Sequence, residues 1–366
     1  CQAAAWTNPE LELSAEDWPV SAGRGFSDAK QLAGISQTVP FPGKKRLDRH
    51  IGLAGLRLSE AALAQRRLDL VREVKAAFFQ VLATERLVAV ERELVQVADD
   101  FAVAARKRVE AGAAGDQEQL RAEILLEEAR SDLAGFEREW DTARENLALL
   151  AGRPELTSAK LTGALATQPN PALLQLTPES SLAGHPRLLA ARRSREQAES
   201  EARRAGLEPY PDLTLGLAGG REGETGNSII QVSVSIPLPI FDRSKGRQQA
   251  ARANVTAAAA EQDSVAQQLK RDWMAARRRL QTAATQVQTC EQRILPKANQ
   301  ALHLVKTGFE EGKFGFIDLL DTQRTAAEAQ LAYQQRLLEL NLAQADLEAL
   351  AGLPADHTEI TQSLSK

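Results

Sequence analysis

Residues 109–154 read VEAGAAGDQEQLRAEILLEEARSDLAGFEREWDTARENLALLAGRP, and residues 309–354 read FEEGKFGFIDLLDTQRTAAEAQLAYQQRLLELNLAQADLEALAGLP. Laid over each other without a gap, the two stretches agree at 13 of 46 positions. Among these are Glu110/Glu310, Gly112/Gly312, Gly115/Gly315 and the closing Ala151-Gly152-x-Pro154 against Ala351-Gly352-x-Pro354. A repeat of this kind governs the fold, so it is read before local propensity. Upstream it continues with small slips: Asn8-Pro9-Glu10-Leu11 answers Tyr210-Pro211-Asp212-Leu213, and residues 36–42 answer residues 233–239. The chain therefore reads as two copies of one unit, residues 1–183 and 184–366.

Inside the quoted stretch, residues 116–151 carry an apolar seam at Ala122, Leu126, Ala129, Leu133, Phe136, Trp140, Ala143, Leu147 and Leu150. The second copy gives Thr322, Ala326, Ala329, Tyr333, Arg336, Leu340, Ala343, Leu347 and Leu350, with Arg336 off pattern. Alternating steps of four and three sustained over several heptads predict coiled-coil packing. Before each seam, residues 44–111 and 244–311 hold almost no Gly and, as their one proline, Pro296. Each predicts a helix of about 68 residues, on the order of 100 Å long. The Gly112/Gly115 and Gly312/Gly315 turns then sit at the tips of long antiparallel hairpins, with the return helices over about 116–151 and 317–351.

Each copy opens differently. Leu11, Leu13 and Ala15 alternate with Glu10, Glu12, Ser14 and Glu16; Leu213, Leu215 and Leu217 alternate with Thr214 and Gly216. After a Gly-rich turn (23–25; 219–226) a second alternating run follows, clearest at Ile230, Val232, Val234 and Ile236. Period two predicts strands, over about 9–18, 31–41, 211–219 and 228–237, ended by Pro40/Pro42 and Pro237/Pro239, which cannot continue a ladder. Strands of about ten residues cross a bilayer when tilted. A linker over 152–183 joins the copies, and residues 352–366 form a tail. The second copy also has a helix over about 185–208, whose counterpart falls at Gln2–Trp6 and further upstream. Cys1 reads either as a lipid anchor or as the front of a chain lacking its first helix, and the repeat arithmetic favours the second reading.

Composition narrows the function classes. Aromatics are 4% and the formal net charge is −4, with Lys/Arg interspersed among Asp/Glu. A nucleic-acid protein shows a basic patch or stripe, and none is present. Two cysteines, Cys1 and Cys290, make no disulfide framework. His50, His185, His303 and His357 are scattered, so no metal-binding cluster and no cofactor are expected, and nothing resembles a nucleotide loop or a catalytic triad. The longest apolar run, around residues 76–83, falls far short of the roughly 18–20 residues a spanning helix needs. Four strands cannot close a barrel, because small barrels need about eight, and open edges are not tolerated in lipid. Copies must therefore meet in the membrane, with the long helices extending from the shared barrel into an aqueous compartment.

In this order and duplication the sequence resembles the TolC-like outer-membrane efflux protein family. The resemblance rests on Asn8-Pro9-Glu10-Leu11 opening a strand, on Gly312-x-x-x-x-Ile317-Asp318-Leu319-Leu320-Asp321 after the second tip, and on the Ala-Gly-x-Pro closing each copy. It implies a homotrimer in the outer membrane of a Gram-negative bacterium, with twelve strands in one barrel and twelve helices in a periplasmic tunnel. It also implies a passive duct, no enzyme, that works with a periplasmic adaptor and an inner-membrane RND-type pump. Ser36-Gln37-x-Val39-Pro40-x-Pro42-Gly43-Lys44-Lys45-Arg46 is similar to a stretch in outer-membrane components of heavy-metal pumps, with Pro42 in place of a Gly. Metal efflux and drug or general export stay side by side, as does a protein-secretion duct of the same fold. A soluble coiled-coil scaffold would not need the strands, and a porin would not need the helices.

Site residues follow from the same likeness. Asp318 and Asp321 match aspartates that ring the closed periplasmic constriction, where six carboxylates near one axis would attract cations. The alternative is that an acid in the first turn stabilises the helix dipole. Glu118 is the copy-one equivalent of Asp318. Gly112, Gly115, Gly312 and Gly315 mark the tips expected to meet the adaptor. Asp116 with Gln119 reads as a capping box. Lys44, Lys45 and Arg46 read as a solvated helix start, with lipid headgroups the other option. Trp6 and Trp18 flank the first strand, as an interfacial belt or as core.

Overall fold

A computed structural model describes residues 2–17, 29–223 and 225–352. Cys1, Trp18, the turn at 23–25 and the tail beyond Gly352, with Pro354 and His357, lie outside the described residues. After a 3₁₀ turn at Gln2–Ala4 come β1 (Glu10–Glu16), β2 (Lys30–Val39), α1 (Lys44–Glu110) and α2 (Asp116–Ala151). Then follow a 3₁₀ turn at Pro154–Thr157 and the short helices α3 (Pro171–Gln175) and α4 (Pro178–Leu182). The order resumes with α5 (Pro186–Gly206), β3 (Leu213–Arg221), β4 (Ser228–Ser235), α6 (Lys245–Thr289), α7 (Leu295–Glu310) and α8 (Phe316–Leu350). Contacts group these into two compact units, one of residues 1–63 with 186–266 and one of residues 64–185 with 267–366.

The first unit holds a single antiparallel sheet in the order β1-β2-β3-β4. Its register places Leu11, Ile35, Leu217 and Val232 in one row across the four strands, and Glu12, Gly34, Ala218 and Gln231 in the next. Because side chains alternate, the first row and its neighbours form an apolar face while the second belongs to a polar one. The apolar face is bare: Leu13 is 74% exposed, Ile230 81% and Val232 74%. A Cβ on Gly220 would run into the Gln31 carbonyl, so the close approach of β2 and β3 there needs glycine. Where β2 turns into α1, the Asp212 carboxylate accepts the Phe41 N–H and the Lys44 ammonium, each at 2.8 Å. Phe41 stacks on Tyr210 with centroids 4.8 Å apart. Lys44, expected in solvent, is 4% exposed because this carboxylate receives it. Its neighbour Lys45 donates to the Ala5 carbonyl at 2.6 Å.

In the second unit the heptad logic extends beyond the return helices. Along α1, Ala77, Val81, Thr84, Val88, Glu91, Ala98, Ala102 and Ala105 are buried, with Val95 packed beside them. That is one unbroken seam of fours and threes. Along α6, Leu269, Trp273, Ala276, Leu280, Ala283 and Val287 repeat it. Arg336, the off-pattern residue of α8, turns outward and pairs with Glu339 at 2.7 Å. The linker is packed structure: buried Asn341 on α8 donates to the Ala166 carbonyl and accepts the Ala166 N–H, both at 3.0 Å. Arg277 holds the Leu174 carbonyl at 2.9 Å.

One expectation fails in a definite way. Residues 244–311 do not form a single α-helix: α6 and α7 are separated by a π-helical turn at Cys290–Ile294, with the Leu295 N–H bonded to the Cys290 carbonyl. Pro296, near the start of α7, has no N–H to give, and its ring collides with the carbonyl four residues back in a regular helix. A five-residue turn makes the room. Copy one has Gln96 at the matching place, and α1 runs unbroken for 67 residues.

Candidate functional site: the paired hairpin tips

Both tips are built by the same local chemistry. α1 ends with the Gly112 N–H on the Val109 carbonyl (2.9 Å) and the Ala113 N–H on the Arg108 carbonyl (2.8 Å). α7 ends likewise, with the Gly312 N–H on Phe309 (3.0 Å) and the Lys313 N–H on Gly308 (2.7 Å). This is the Schellman arrangement, whose next-to-last residue sits in the left-handed region; Gly112 has φ 69° and Gly312 φ 73°. Gly115 and Gly315 differ: they are extended N-cap residues of α2 and α8, with φ −87° and −78°. At the first position of α2, Asp116 is one residue too late to cap it, and Gln119 donates to Glu123 at 2.9 Å; the capping box expected there is absent.

Half of a capping box appears in the other copy. Asp318 Oδ2 accepts the Gly315 N–H at 2.9 Å, while Gly315 has no side chain to accept the Asp318 N–H in return. Asp318 and Asp321 are both exposed and one turn apart, beside Ile317, which is 60% exposed. Asp321 pairs with Arg324 at 3.1 Å. Glu118 turns elsewhere: its carboxylate lies 3.0 Å from Arg108 Nε, charge against charge but off the line of a hydrogen bond.

The two tips are locked together. Phe316, the first residue of α8, is buried among Ala98, Ala102, Ala105, Ala122 and Leu126 of the first hairpin. Four alanines leave the hole that one ring fills. Phe101 meets Phe316 edge-on at 6.3 Å and Phe309 lies tilted at 6.0 Å. The Arg108 guanidinium covers Phe309 at 5.1 Å. Thus Arg108 ties Glu118 of one hairpin to an aromatic ring of the other.

Behind the tips a groove is lined by Glu91, Glu128 and Asp132 of the first hairpin and by Arg324 and Glu328 of α8. Glu91 occupies a seam position and is 3% exposed, and its burial, with the nearby Asp132 carboxylate, pushes its pKa above the ordinary carboxyl value. Attention to the return helices alone passes over it; the signal is an acid at a position where the spacing of α1 demands an apolar side chain. Among the described residues no group of three or more His, Cys, Asp or Glu is arranged to hold a metal ion. No helix among them is long and apolar enough to cross a membrane.

This architecture has counterparts among known proteins. The chain is 32% identical over 340 residues to the cobalt-zinc-cadmium resistance protein CzcC of Cupriavidus metallidurans, a match covering 91% of this chain and 78% of that protein. It is 26% identical over 272 residues to the nickel and cobalt resistance protein CnrC of the same organism, covering 72% of this chain and 62% of CnrC. Among solved structures, the outer membrane protein VceC of Vibrio cholerae superposes with a TM-score of 0.79 at 20% identity, over 96% of this chain and 88% of VceC. A membrane protein from Pseudomonas aeruginosa gives 0.82 at 21%, over 96% and 85%. The sequence profile described as outer membrane efflux protein matches residues 1–153 and 177–353. With the bare apolar sheet, the long seamed hairpins and this match over both repeats, the chain belongs to the outer membrane efflux protein family: it is an outer-membrane channel subunit of a tripartite efflux system.

Proposed function

We propose that three copies of this chain form a passive exit duct for divalent heavy-metal cations, fed by a periplasmic adaptor and an inner-membrane RND-type pump. The observation that carries the assembly is the four-stranded sheet, whose apolar face is bare and whose outer strands, β1 and β4, have one neighbour each among the described residues. Such a sheet is stable in lipid only when its edges are paired, and three copies supply a barrel of ordinary strand number. The two structural repeats, 1–183 and 184–366, then each contribute one hairpin of strands and one of helices. The metal reading draws on the resistance proteins CzcC and CnrC and on the run from Ser36 to Arg46. Metal selection lies with the pump and adaptor, and the duct does no enzymatic chemistry.

Within this reading the tips at Gly112, Gly115, Gly312 and Gly315 meet the adaptor, and Asp318, Asp321 and Glu118 surround the periplasmic constriction. The test has two parts. Mass measurement of the detergent-solubilised protein is expected to give three copies, and a stable monomer overturns the duct. Deletion of the gene is expected to sensitise its host to cobalt, zinc or cadmium; unchanged metal tolerance with increased drug sensitivity overturns the metal assignment.

A further inference from the structure

The junction of β2 and β3 inside one chain has a counterpart that a single chain leaves incomplete. At that junction Lys44, the first residue of α1, is buried against Asp212, the residue just before β3, at 2.8 Å. Gly43, in the left-handed region with φ 98°, aims the helix start. The repeat supplies comparable parts at the end of β4 and the beginning of β1, with a longer connection from strand to helix: Lys44 follows Pro40 by four residues, Lys245 follows Pro237 by eight. Lys245 is the first residue of α6, and Ser244 before it is also left-handed, with φ 54°, held by its N–H donating to Asp242 Oδ1 at 2.7 Å. Glu10 of Asn8-Pro9-Glu10-Leu11 stands where Asp212 stands in Tyr210-Pro211-Asp212-Leu213. Glu10 and Lys245 are both exposed, and neither has a charged or hydrogen-bonding partner among the described residues. One chain thus carries a closed lysine–carboxylate latch and the two separated halves of a second.

We propose that β4 of one copy pairs with β1 of the next in the register that β2 and β3 show within the chain, and that Lys245 of one copy closes on Glu10 of the other. This rests on the assembly proposed above and adds its residue-level seam. Carrying the observed register of Gln37 opposite Leu215 and Thr38 opposite Thr214 through the two sequence correspondences sets Val234 opposite Leu13 and Ser235 opposite Glu12. Leu13 and Val234 lie on the bare apolar face, and Glu12 and Ser235 on the polar one. A slip of one residue would set apolar against polar all along the seam. The connection after β4 agrees: Leu238, Ile240 and Phe241 are 73%, 62% and 99% exposed in one chain, next to the edge where the second copy would lie.

The seam is tested on the full chain in detergent with paired cysteines, because a disulfide forms only where Cα atoms come within about 4.4–6.8 Å. Leu13→Cys with Val234→Cys is expected to convert most of the protein on oxidation into covalently linked copies. Leu13→Cys with Val232→Cys, and the unsubstituted chain, are expected to stay unlinked. The latch is tested by heating the trimer in detergent. Glu10→Lys and Lys245→Glu each lower the temperature at which it dissociates, the double exchange restores it, and Arg243→Glu leaves it unchanged. A trimer that links through the Val232 pair instead, or an exchange that rescues nothing, overturns the seam and leaves the trimer standing. If the unsubstituted chain is monomeric, the seam falls together with the assembly it rests on.

Discussion

The Asp318 carboxylate accepts the Gly315 N–H while standing exposed one turn from Asp321, so replacing it alters a helix cap and a charge at once. Asparagine separates them, since its side-chain oxygen still accepts the N–H and carries no charge. If the pair lines a constricted axis, Asp318→Asn with Asp321→Asn changes single-channel conductance and weakens block by divalent cations. If Asp318 only caps, the Asn pair conducts like the parent, and Asp318→Ala costs about 0.5–2 kcal/mol of helix stability. Glu91 gives a second residue-scale forecast. Its pKa is raised in the folded chain, so the folded state holds the proton more tightly and stability falls as pH climbs from the ordinary carboxyl value through the raised one. Glu91→Gln removes that penalty. Thermal melts are expected to show the variant more stable than the parent at pH 7, with the difference vanishing below pH 4.5, the ordinary value for the group. An equal difference at both pH values would mean that the charge is not its origin. Asp318 was singled out by its likeness to the family motif after the second tip, with a helix-end role as the alternative, and its bond to the Gly315 N–H belongs to the latter; the burial of Lys44 was not legible, because its partner Asp212 lies in the other repeat.

At the scale of elements, the four tip glycines separate into two kinds. Gly112 and Gly312 are left-handed, so any side chain there strains the turn. Gly115 and Gly315 have ordinary backbone angles, and a Cβ on Gly115 meets nothing within 4 Å. Gly115→Lys therefore probes the proposed adaptor contact without disturbing the fold: resistance is expected to fall while the assembled protein keeps its parent melting temperature. Full resistance in that variant removes this tip from the interface. Phe316→Ala tests the lock between hairpins. Emptying a hole of that size costs about 3–5 kcal/mol, and proteolysis near the tips is expected to speed up correspondingly. Helices, strands and their order could be read from spacing because each has one period and one apolar side. The π-helical turn could not, although Pro296 was in view, because proline announces a break without saying how the backbone absorbs it. The structured linker was illegible for another reason: Asn341 and Arg277 hold it from distant helices, and local pattern carries no trace of them.

On the scale of the whole molecule, duplication let one copy interpret the other, and its limits lie where the copies differ. Phe316 fills the lock where copy one has Asp116, and Asp318 closes a cap where Glu118 turns to Arg108. One further consequence follows from the pairing of β2 with β3. The strand that ends at Val39 finds its second neighbour only in one that starts at Leu213, on the far side of both helices of the first repeat. Ribosomes and export machinery deliver a chain N-terminus first. For all that interval the opening β-hairpin has its apolar side uncovered and a ladder unfilled, the condition under which strands aggregate. An escort that shields residues 10–39 in transit is the expected requirement, and depleting periplasmic holdases should reduce the yield of this protein before it affects a protein whose sheet closes locally.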